Sequence, residues 1–374
     1  MKREFSAIEL HYLVDELKEL CNSRVDKIYQ PKEDEILIQT HKTGAGKRIL
    51  RISGKLMYLT EHKSESPQTP FGFCTYLRKK LSNSIIKDIS QIGSERIVQI
   101  VFDAKGAMLK MVIELFGAGN TILVNDHDVI LSPLNIQKFK DREVRPGQAY
   151  TYPGKEHSLF EISAENLGVM LRKSSQESVV KALALDLGIG GNYSEEICMQ
   201  GRIDKNRKPD SLLDKEINDM HSDIRGLLGM KPSPLIVLKD NVVIDIIPFD
   251  LKIYHGLEKQ PRESYNSAID SVVTVHAAVK EKAEKEKVAN KELERIKKSI
   301  QMQEKNIEKL RKEAEENQRK GEIVYENYAL VKDVIDELNK AKQKYSWPEI
   351  KEKLKGHKTI KSIDEKDKKV VIEI

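Results

Sequence analysis

The clearest alternation of apolar and polar side chains lies in the stretch 95–131. Residues 95–102 alternate between two faces, and residues 108–116 repeat this alternation after a turn of Asp, Ala, Lys and Gly. Two more apolar runs follow at 121–125 and 129–131. An alternation of period two is typical of strands, and Asp and Gly are common in the turns that join them. The pattern predicts an antiparallel meander whose first strand has one buried face.

Glu95 and Arg96 open this first strand. Period two places Arg96 on the apolar face, where a guanidinium needs a partner or a position at the rim of the sheet. A rim arginine beside a carboxylate either clamps the structure or contacts a ligand. The sequence leaves both interpretations open.

An amphipathic helix is predicted from Ser6. Its apolar face consists of Leu10, Leu13, Val14, Leu17 and Leu20. Ser6 and Glu9 have the spacing of a capping box, in which each side chain binds the backbone N–H of the other residue. Glu9 is therefore either a helix cap or a functional carboxylate.

Further strands are predicted on both sides of the meander. Residues 35–40, 48–52 and 56–60 are strand candidates separated by glycine-containing turns, and we expect them to join the meander in one sheet. A later hairpin at 235–244 indicates that the chain returns to sheet structure after a helical insertion. The first domain is then discontinuous.

A second helix is predicted after Thr69 and Pro70, which have the residue types of an N-cap and a first helical position. This helix carries the basic triplet Arg78, Lys79 and Lys80. Such a triplet is either a solvated face or a phosphate contact.

A basic loop with interleaved tyrosines follows the meander. It contains Lys138, Lys140, Arg142, Arg145, Tyr150 and Tyr152, and it ends in a turn at 150–154. Guanidinium and aromatic planes can stack on unpaired bases. The composition suits a contact with RNA.

A glycine-rich turn joins two predicted helices between residues 177 and 200. The first helix has an apolar face of Val179, Val180, Leu183 and Leu187, and the second is predicted to be capped by Asn192 and Glu195. The turn contains Gly188, Gly190 and Gly191, as in a helix-hairpin-helix. Glycines let a phosphate approach the free N–H groups at the start of a helix. A tight turn can equally serve only to pack two helices, so both interpretations stay open.

A long helix with one apolar seam is predicted beyond about Val275. The seam residues are Leu293, Ile296, Ile300, Gln303, Ile307, Leu310 and Ala314. Their alternating steps of three and four are typical of a coiled coil. The seam is then covered by a coiled-coil partner or in a homodimer, or the chain stops before the helix that would return along it. Gly321 is expected to interrupt the helix, and a helix at 324–338, a helix opened by Trp347 and a strand at 369–374 follow.

Composition and charge restrict the class of protein. A chain of 374 residues can form two or three domains, and its net charge of +5 means that nucleic-acid binding would depend on local basic patches. Cys21, Cys74 and Cys198 are odd in number and far apart, which fits a reducing cytoplasm better than a disulfide framework or a zinc site. The sequence shows neither an apolar signal segment nor an apolar run near eighteen residues. We expect a soluble, cytoplasmic protein without metal or membrane contact.

Several of these segments together resemble the NFACT family of ribosome quality-control proteins, the RqcH and NEMF type, known in some bacteria as fibronectin-binding protein A. The matching segments are residues 6–9, 70–73, 77–81, 95–97, 116–120, 145–148, 187–191 and 320–322. The resemblance implies an α+β multidomain fold. Its parts would be a β-rich NFACT-N domain distantly similar to the N-terminal fold of formamidopyrimidine-DNA glycosylases, a helix-hairpin-helix domain, and a long coiled-coil helix with a small middle domain.

The resemblance also predicts domain boundaries. The NFACT-N domain is expected at 1–170, the helix-hairpin-helix domain at 171–230, and a returning hairpin with a linker at 231–270. The first coiled-coil helix is expected at 271–320 and the middle domain at 321–374. We expect the sequence to end before the return helix and the NFACT-R domain.

Members of the family bind a large ribosomal subunit that carries an obstructed peptidyl-tRNA, and they recruit tRNA for template-free C-terminal tailing. The resemblance implies the same partners here, with no covalent catalysis and no cofactor. It places tRNA contacts at Glu95 and Arg96, which match an Asp-Arg pair of the family, and at Glu9, where the family often carries Asp. The remaining predicted contacts are Arg78, Lys79 and Arg145 for tRNA and Gly188, Gly190 and Gly191 for phosphate.

Two other classes of protein are alternatives. One is a fibronectin-binding surface adhesin, which the older family name suggests and which the absent signal segment disfavours. The other is a DNA glycosylase or a related DNA-binding protein. Glycosylases of that type use an N-terminal proline amine, whereas this sequence begins Met1, Lys2, Arg3.

Overall fold

The computed structural model describes residues 4–140, 142–153, 158–357, 359–364, 367 and 369–373, with side chains described except at 277–285 and 288. Met1, Lys2, Arg3, Gly154 and Ile374, which entered the sequence predictions, lie outside the described residues. The chain divides into two compact units, Met1–Lys280 and Glu281–Ile374. The finer subdivision of the first unit stays a prediction.

A nine-stranded antiparallel sheet dominates the first unit. Its strands are β1 (Arg24–Lys32), β2 (Glu35–Lys42), β3 (Gly46–Ser53), β4 (Leu56–Thr60), β5 (Ile85–Gln91), β6 (Ile97–Ala104), β7 (Ala107–Glu114), β8 (Asn120–Asn125) and β9 (Ile130–Pro133). They lie in the order β4-β3-β2-β1-β5-β6-β7-β8-β9. The predicted meander and the predicted joining of the early strands to it are confirmed, while β1 and β5 were not predicted.

The strand β6 is fully buried on one face and partly covered on the other. Val98, Ile100 and Phe102 belong to a core that also contains residues of β2, β3 and β4. Ile97 points to the other face and packs in a second cluster with Tyr150. The prediction of one buried face is confirmed, and the segment after β9 folds back over the other face and covers Ile97 there. That segment includes the short strands β10 (Gln137–Lys138) and β11 (Glu143–Val144).

Two helices cover the first core. The helix α1 (Ala7–Leu17) has Ser6 as its N-cap and the complete capping box with Glu9, as predicted. The helix α2 (Gly72–Leu81) begins after Phe71, so the predicted start at Thr69 and Pro70 was wrong. Phe71 is still extended, and its carbonyl accepts the first helical hydrogen bond from Thr75 N at 3.1 Å.

A helical region follows, around its own core. It contains α3 (Ala164–Lys173), α4 (Val179–Lys181) continued by a π-helical segment (Ala182–Leu187), α5 (Gly191–Gln200) and α6 (Asp214–Leu228). A three-stranded sheet then follows, with β12 (Leu235–Lys239) between β13 (Val242–Ile247) and β14 (Glu258–Pro261). Ile236 and Ile246 enter the core of the large sheet, whereas Val237 and Ile247 enter the helical core. Because successive residues of a strand point to opposite faces, this small sheet packs against one core on each face.

The long helix α7 (Tyr265–Glu326) begins earlier than the predicted start near Val275. The carboxylate of Glu16 accepts hydrogen bonds from the backbone N–H groups of Tyr265 at 2.6 Å and Asn266 at 2.9 Å, and thereby caps the helix from another element. Gly321 lies inside α7, so the predicted interruption there was wrong. One glycine weakens a long helix by only about 1 kcal/mol, which neighbouring residues can offset.

The seam residues of α7 are about half exposed. The exposed fractions are 51% for Leu293, 52% for Ile296, 48% for Ile300, 51% for Ile307 and 62% for Leu310. A coiled-coil partner or a homodimer at this seam stays a prediction.

The second unit has a small core of its own. After α7 it contains α8 (Tyr328–Lys342), α9 (Trp347–Lys353), β15 (Ile360–Asp364) and β16 (Lys369–Ile372). Leu338, Ile350, Ile360 and Ile363 are buried, and the Trp347 ring packs against them. The predicted helix at Trp347 and the predicted terminal strand are confirmed, while β15 was not predicted. Among the described helices, none combines the length and the hydropathy that a bilayer span needs.

Candidate functional site

A cavity of about 600 Å³ lies in the first unit, between the start of α1, the turn before β6 and the glycine turn before α5. Its walls include six of the predicted site residues: Glu9, Glu95, Arg96, Gly188, Gly190 and Gly191. They also include residues that were not predicted, among them Glu4, Ser94, Phe116, Leu185, Asn192 and Tyr193. Predictions made from three separate stretches of sequence therefore meet in one place.

The glycine turn leaves the start of α5 without a side-chain cap. Gly188 has a left-handed φ of 83°, and Gly190 is the N-cap with φ 92° and ψ 156°. The predicted capping role of Asn192 was wrong, because its amide donates to Asp245 Oδ2 and Tyr254 Oη, both at 2.9 Å. The first N–H groups of a helix have no intrahelical acceptor. Such N–H groups beside a cavity can bind an anion.

The same turn also packs closely against α1. A Cβ atom placed on Gly190 would lie 3.0 Å from the Cβ of Ser6. The packing interpretation of this turn therefore has a direct structural basis. Phosphate binding stays a prediction, and the two roles are compatible.

Glu9 has a structural role on the cavity wall. Its side chain is 2% exposed, and Oε2 accepts a hydrogen bond from Ser6 N at 2.8 Å. Tyr193 Oη donates to Oε1 at 3.3 Å, which connects α1 to α5. Burial and the nearby Glu9 carboxylate raise the pKa of Tyr193 well above its ordinary value. The helix-cap interpretation of Glu9 is confirmed, and a tRNA contact there stays a prediction.

Arg96 lies in the turn just before β6 and forms an ion pair at the cavity. Its partner is Glu4 and not its neighbour Glu95, with Nη1 3.1 Å from Glu4 Oε2. Lys55 Nζ donates to the same oxygen at 2.9 Å. The hydrogen bond from Lys55 holds the pKa of Glu4 below its ordinary value, partial burial opposes this, and the Arg96 charge adds to the lowering. The backbone carbonyl of Glu95 accepts a hydrogen bond from Gln91 Nε2 at 3.0 Å.

Glu4 and Lys55 were missed by the sequence predictions. Charged residues near a chain start or in a turn normally look like solvated surface. Phe5 is the residue from which the position of Glu4 could have been predicted. It precedes the N-cap Ser6 and packs in the same core as Leu10, as in a hydrophobic staple. It indicates that the segment before α1 is held against the body of the protein.

Arg78, Lys79 and Arg145 are not among the described residues that line the cavity. Arg78 Nε donates to the backbone carbonyl of Ile28 at 2.7 Å, so part of its function is structural. Lys79 is exposed on α2. Arg145 is half exposed beside Glu143, at 3.2 Å. Their tRNA contacts stay predictions at surfaces outside this site.

Arg142 differs from its predicted role in a basic RNA-binding loop. Its Nη1 lies 2.6 Å from Glu114 Oε1, and the two side chains are 8% and 2% exposed. Tyr150 Oη donates to the same carboxylate oxygen at 2.7 Å. Burial of Tyr150 together with the Glu114 carboxylate raises the pKa of the phenol. Arg142 and Tyr150 thus attach this segment to the sheet and are not available to stack on bases.

The described residues offer little else as a reactive centre. Within them, no group of three or more His, Cys, Asp and Glu residues is arranged to hold a metal ion. Cys21, Cys74 and Cys198 are free thiols, and burial raises the pKa of Cys198 to about 11. The cavity holds one guanidinium and the backbone N–H groups at the start of α5, which are groups that can bind an anion, whereas the carboxylates of Glu4, Glu9 and Glu95 on its wall oppose one.

Known proteins match this chain over most of its length. The family model for NFACT N-terminal and middle domains matches residues 6–369. The archaeal Rqc2 homolog aRqcH of Methanocaldococcus jannaschii is 33% identical over 373 residues, which cover 96% of this chain and 55% of that protein. The ribosome quality control complex subunit NEMF of Homo sapiens is 24% identical over 384 residues, which cover 94% of this chain and 35% of that protein. The chain thus spans about half the length of the archaeal relative and a third of the human one.

A solved structure shows the same fold. The fibrinogen binding protein from Staphylococcus aureus superposes with a TM-score of 0.59 at 21% identity. The match covers 71% of this chain and 97% of that one.

Proposed function

Because the chain belongs to the family described by NFACT N-terminal and middle domains, we propose that it acts in ribosome-associated quality control and binds RNA at the cavity of the first unit. Its partners in this proposal are the large ribosomal subunit with an obstructed peptidyl-tRNA, and a tRNA recruited for template-free C-terminal tailing. The chain itself makes no covalent bond, since the ribosome would form the peptide bonds. It would work in the cytoplasm.

The observation that carries the proposal is the position of Arg96 and the uncapped start of α5 in one cavity. A guanidinium can bind a phosphate through two parallel hydrogen bonds, and helix N–H groups add donors without a side chain. Glu95 on the same wall supplies a carboxylate that can accept from base amino groups, which is a means of reading an unpaired base. These groups together fit a phosphate and base of an RNA loop.

Arg96→Ala in the full chain tests this proposal by tRNA binding. We expect weaker association and a salt slope that is shallower by about 0.7 to 0.9 for one lost phosphate contact. The melting temperature should hardly change, because a half-exposed ion pair is worth only about 0 to 1 kcal/mol. Arg48→Ala is the matched control, since Arg48 is also partly exposed and paired, with Glu19 at 3.2 Å.

Two outcomes would count against the proposal. Equal tRNA affinity for Arg96→Ala and Arg48→Ala would mean that Arg96 makes no contact with tRNA. A large loss of stability in Arg96→Ala would instead support the clamp interpretation of this residue.

Ribosome association needs a separate measurement. Native protein should sediment with large-subunit particles and carry tRNA in a pull-down followed by RNA sequencing. The name of the Staphylococcus aureus protein refers to fibrinogen binding, and at 21% identity that likeness concerns the fold alone. Native protein found mainly on the cell surface, and not with ribosomes, would favour the adhesin alternative.

A further inference from the structure

One carboxylate oxygen joins two cations at the rim of the cavity. Glu4 Oε2 lies 2.9 Å from Lys55 Nζ and 3.1 Å from Arg96 Nη1. The side chain of Glu4 is 49% exposed, and those of Lys55 and Arg96 are 35% and 34% exposed. A single anionic oxygen between an ammonium and a guanidinium is also the geometry in which these groups bind a phosphate.

The turn that carries Lys55 is held in place by a contact that does not involve Glu4. It lies in the turn between β3 and β4, next to Gly54. Gly119 has φ 80°, and a Cβ atom there would lie 2.2 Å from the Gly54 carbonyl oxygen. This backbone contact packs the turn against the loop that follows Phe116, a residue of the cavity wall.

Arg96 is likewise fixed by its backbone, because Leu115 N donates to the Arg96 carbonyl at 2.8 Å. The backbone that carries both cations is therefore held by contacts that do not involve the carboxylate. Among the described residues, the Glu4 side chain is bonded to Lys55 and Arg96 alone. Its neighbour Phe5 is the buried anchor of the segment, at 1% exposure, while Glu4 itself extends toward solvent.

We propose that the Glu4 carboxylate occupies the anion position of the site, that an RNA phosphate displaces it from between Lys55 and Arg96, and that Lys55 is a further RNA-binding residue. This inference rests on the proposed function, that the cavity binds RNA. A phosphodiester carries one negative charge, as does the carboxylate that it would replace between the two cations. The exchange is favourable because exposed ion pairs are weak, and because a guanidinium matches a phosphate better than a single carboxylate oxygen.

Substitutions of opposite sign test this inference in the full chain, with tRNA as the probe. Glu4→Gln should raise affinity about two- to fivefold over the control Glu33→Gln, which removes an equal charge at the exposed turn between β1 and β2. Lys55→Met should lower affinity about three- to tenfold relative to Lys47→Met, an exposed lysine of β3.

The alternative role for Glu4 is to orient Arg96, and it predicts the opposite sign. If Glu4→Gln binds tRNA more weakly than Glu33→Gln, or equally well, the displacement of Glu4 by a phosphate is refuted. If Lys55→Met and Lys47→Met bind tRNA with equal affinity, Lys55 does not bind RNA at the site.

A titration with inorganic phosphate separates this inference from the proposed function. The Nε–H resonance of Arg96, assigned by its loss in Arg96→Ala, should shift at lower phosphate concentration in Glu4→Gln than in Glu33→Gln. If that holds while Arg96→Ala leaves tRNA binding intact, the anion exchange stands and the RNA assignment fails. If Arg96→Ala weakens tRNA binding but the phosphate response of Glu4→Gln is unchanged, the exchange fails and the RNA assignment stands.

Discussion

Gly190→Ala should open the helix-hairpin-helix turn, and the structure gives the reason. Gly190 has φ 92° and ψ 156°, a backbone region that is almost confined to glycine. Holding an alanine there costs about 1 to 3 kcal/mol. The added Cβ would also meet Ser6 Cβ at 3.0 Å, and because Ser6 caps α1, that helix would have to shift slightly.

Gly191→Ala is the matched control. Gly191 is the first residue of α5, its φ is not in the left-handed region, and a Cβ there would meet no atom within 4 Å. Glycine to alanine at a compatible position stabilises by about 0.4 to 1 kcal/mol, chiefly by restricting the unfolded chain. The two neighbouring substitutions should therefore change stability in opposite directions.

Labelling of the Cys198 thiol measures this difference locally. Cys198 lies in α5 and is 2% exposed, so a thiol reagent reaches it only when the region opens. A destabilisation of about 1 to 3 kcal/mol should speed labelling about 5- to 150-fold, because each 1.4 kcal/mol is a factor of ten. Peptide mass spectrometry separates Cys198 from Cys21 and Cys74. Labelling of Gly190→Ala at the rate of the unsubstituted chain would refute the argument from backbone conformation.

Three further predictions concern the buried pair of Arg142 and Glu114, the Cys198 thiol, and the start of α5. Arg142→Met should cost about 3 to 5 kcal/mol in urea unfolding, because it leaves the Glu114 carboxylate buried without its cation, and adding Glu114→Gln should recover much of the loss. The pKa of Cys198 is raised to about 11, so the unfolded chain loses this proton first and stability should fall as pH rises from about 8.5 toward 11. Urea midpoints at pH 8 and pH 10 should differ less in Cys198→Ala than in the unsubstituted chain, and an equal difference would exclude this thiol as the cause. Gly191→Ala should weaken tRNA binding without unfolding if a phosphate approaches the start of α5, whereas unchanged affinity would leave only the packing role.

The sequence predicted those parts of the fold whose signal is local. The strands β6 and β7 keep a period of two in the sequence, β8 and β9 are short apolar runs, and the cap formed by Ser6 and Glu9 needs only neighbouring residues. The strands β1 and β5 were missed because each contains a register shift, between Val25 and Lys27 and between Ile86 and Asp88. An inserted residue reverses the faces and removes the alternation by which a strand is recognised.

The candidate site was predicted in pieces and not as a whole. Arg96 and the glycine turn at Gly188 each had a recognisable pattern, but they are some ninety positions apart along the chain, and only tertiary packing brings them together. The partner of Arg96 could not be predicted either. Its neighbour Glu95 was the local candidate, whereas Glu4 reaches it through the burial of Phe5.

Trp347 is the only tryptophan in the sequence, and it lies in the second unit with the Lys342 ammonium 5.8 Å from its ring centroid. Indole emission is therefore an intrinsic optical reporter of that unit, free of background from the unit that holds the cavity. A ligand that enters the cavity and leaves this emission unchanged does not alter the surroundings of Trp347. A change in emission on binding would show that the ligand contacts the second unit or alters it from the cavity, and it would be measured without attaching a dye.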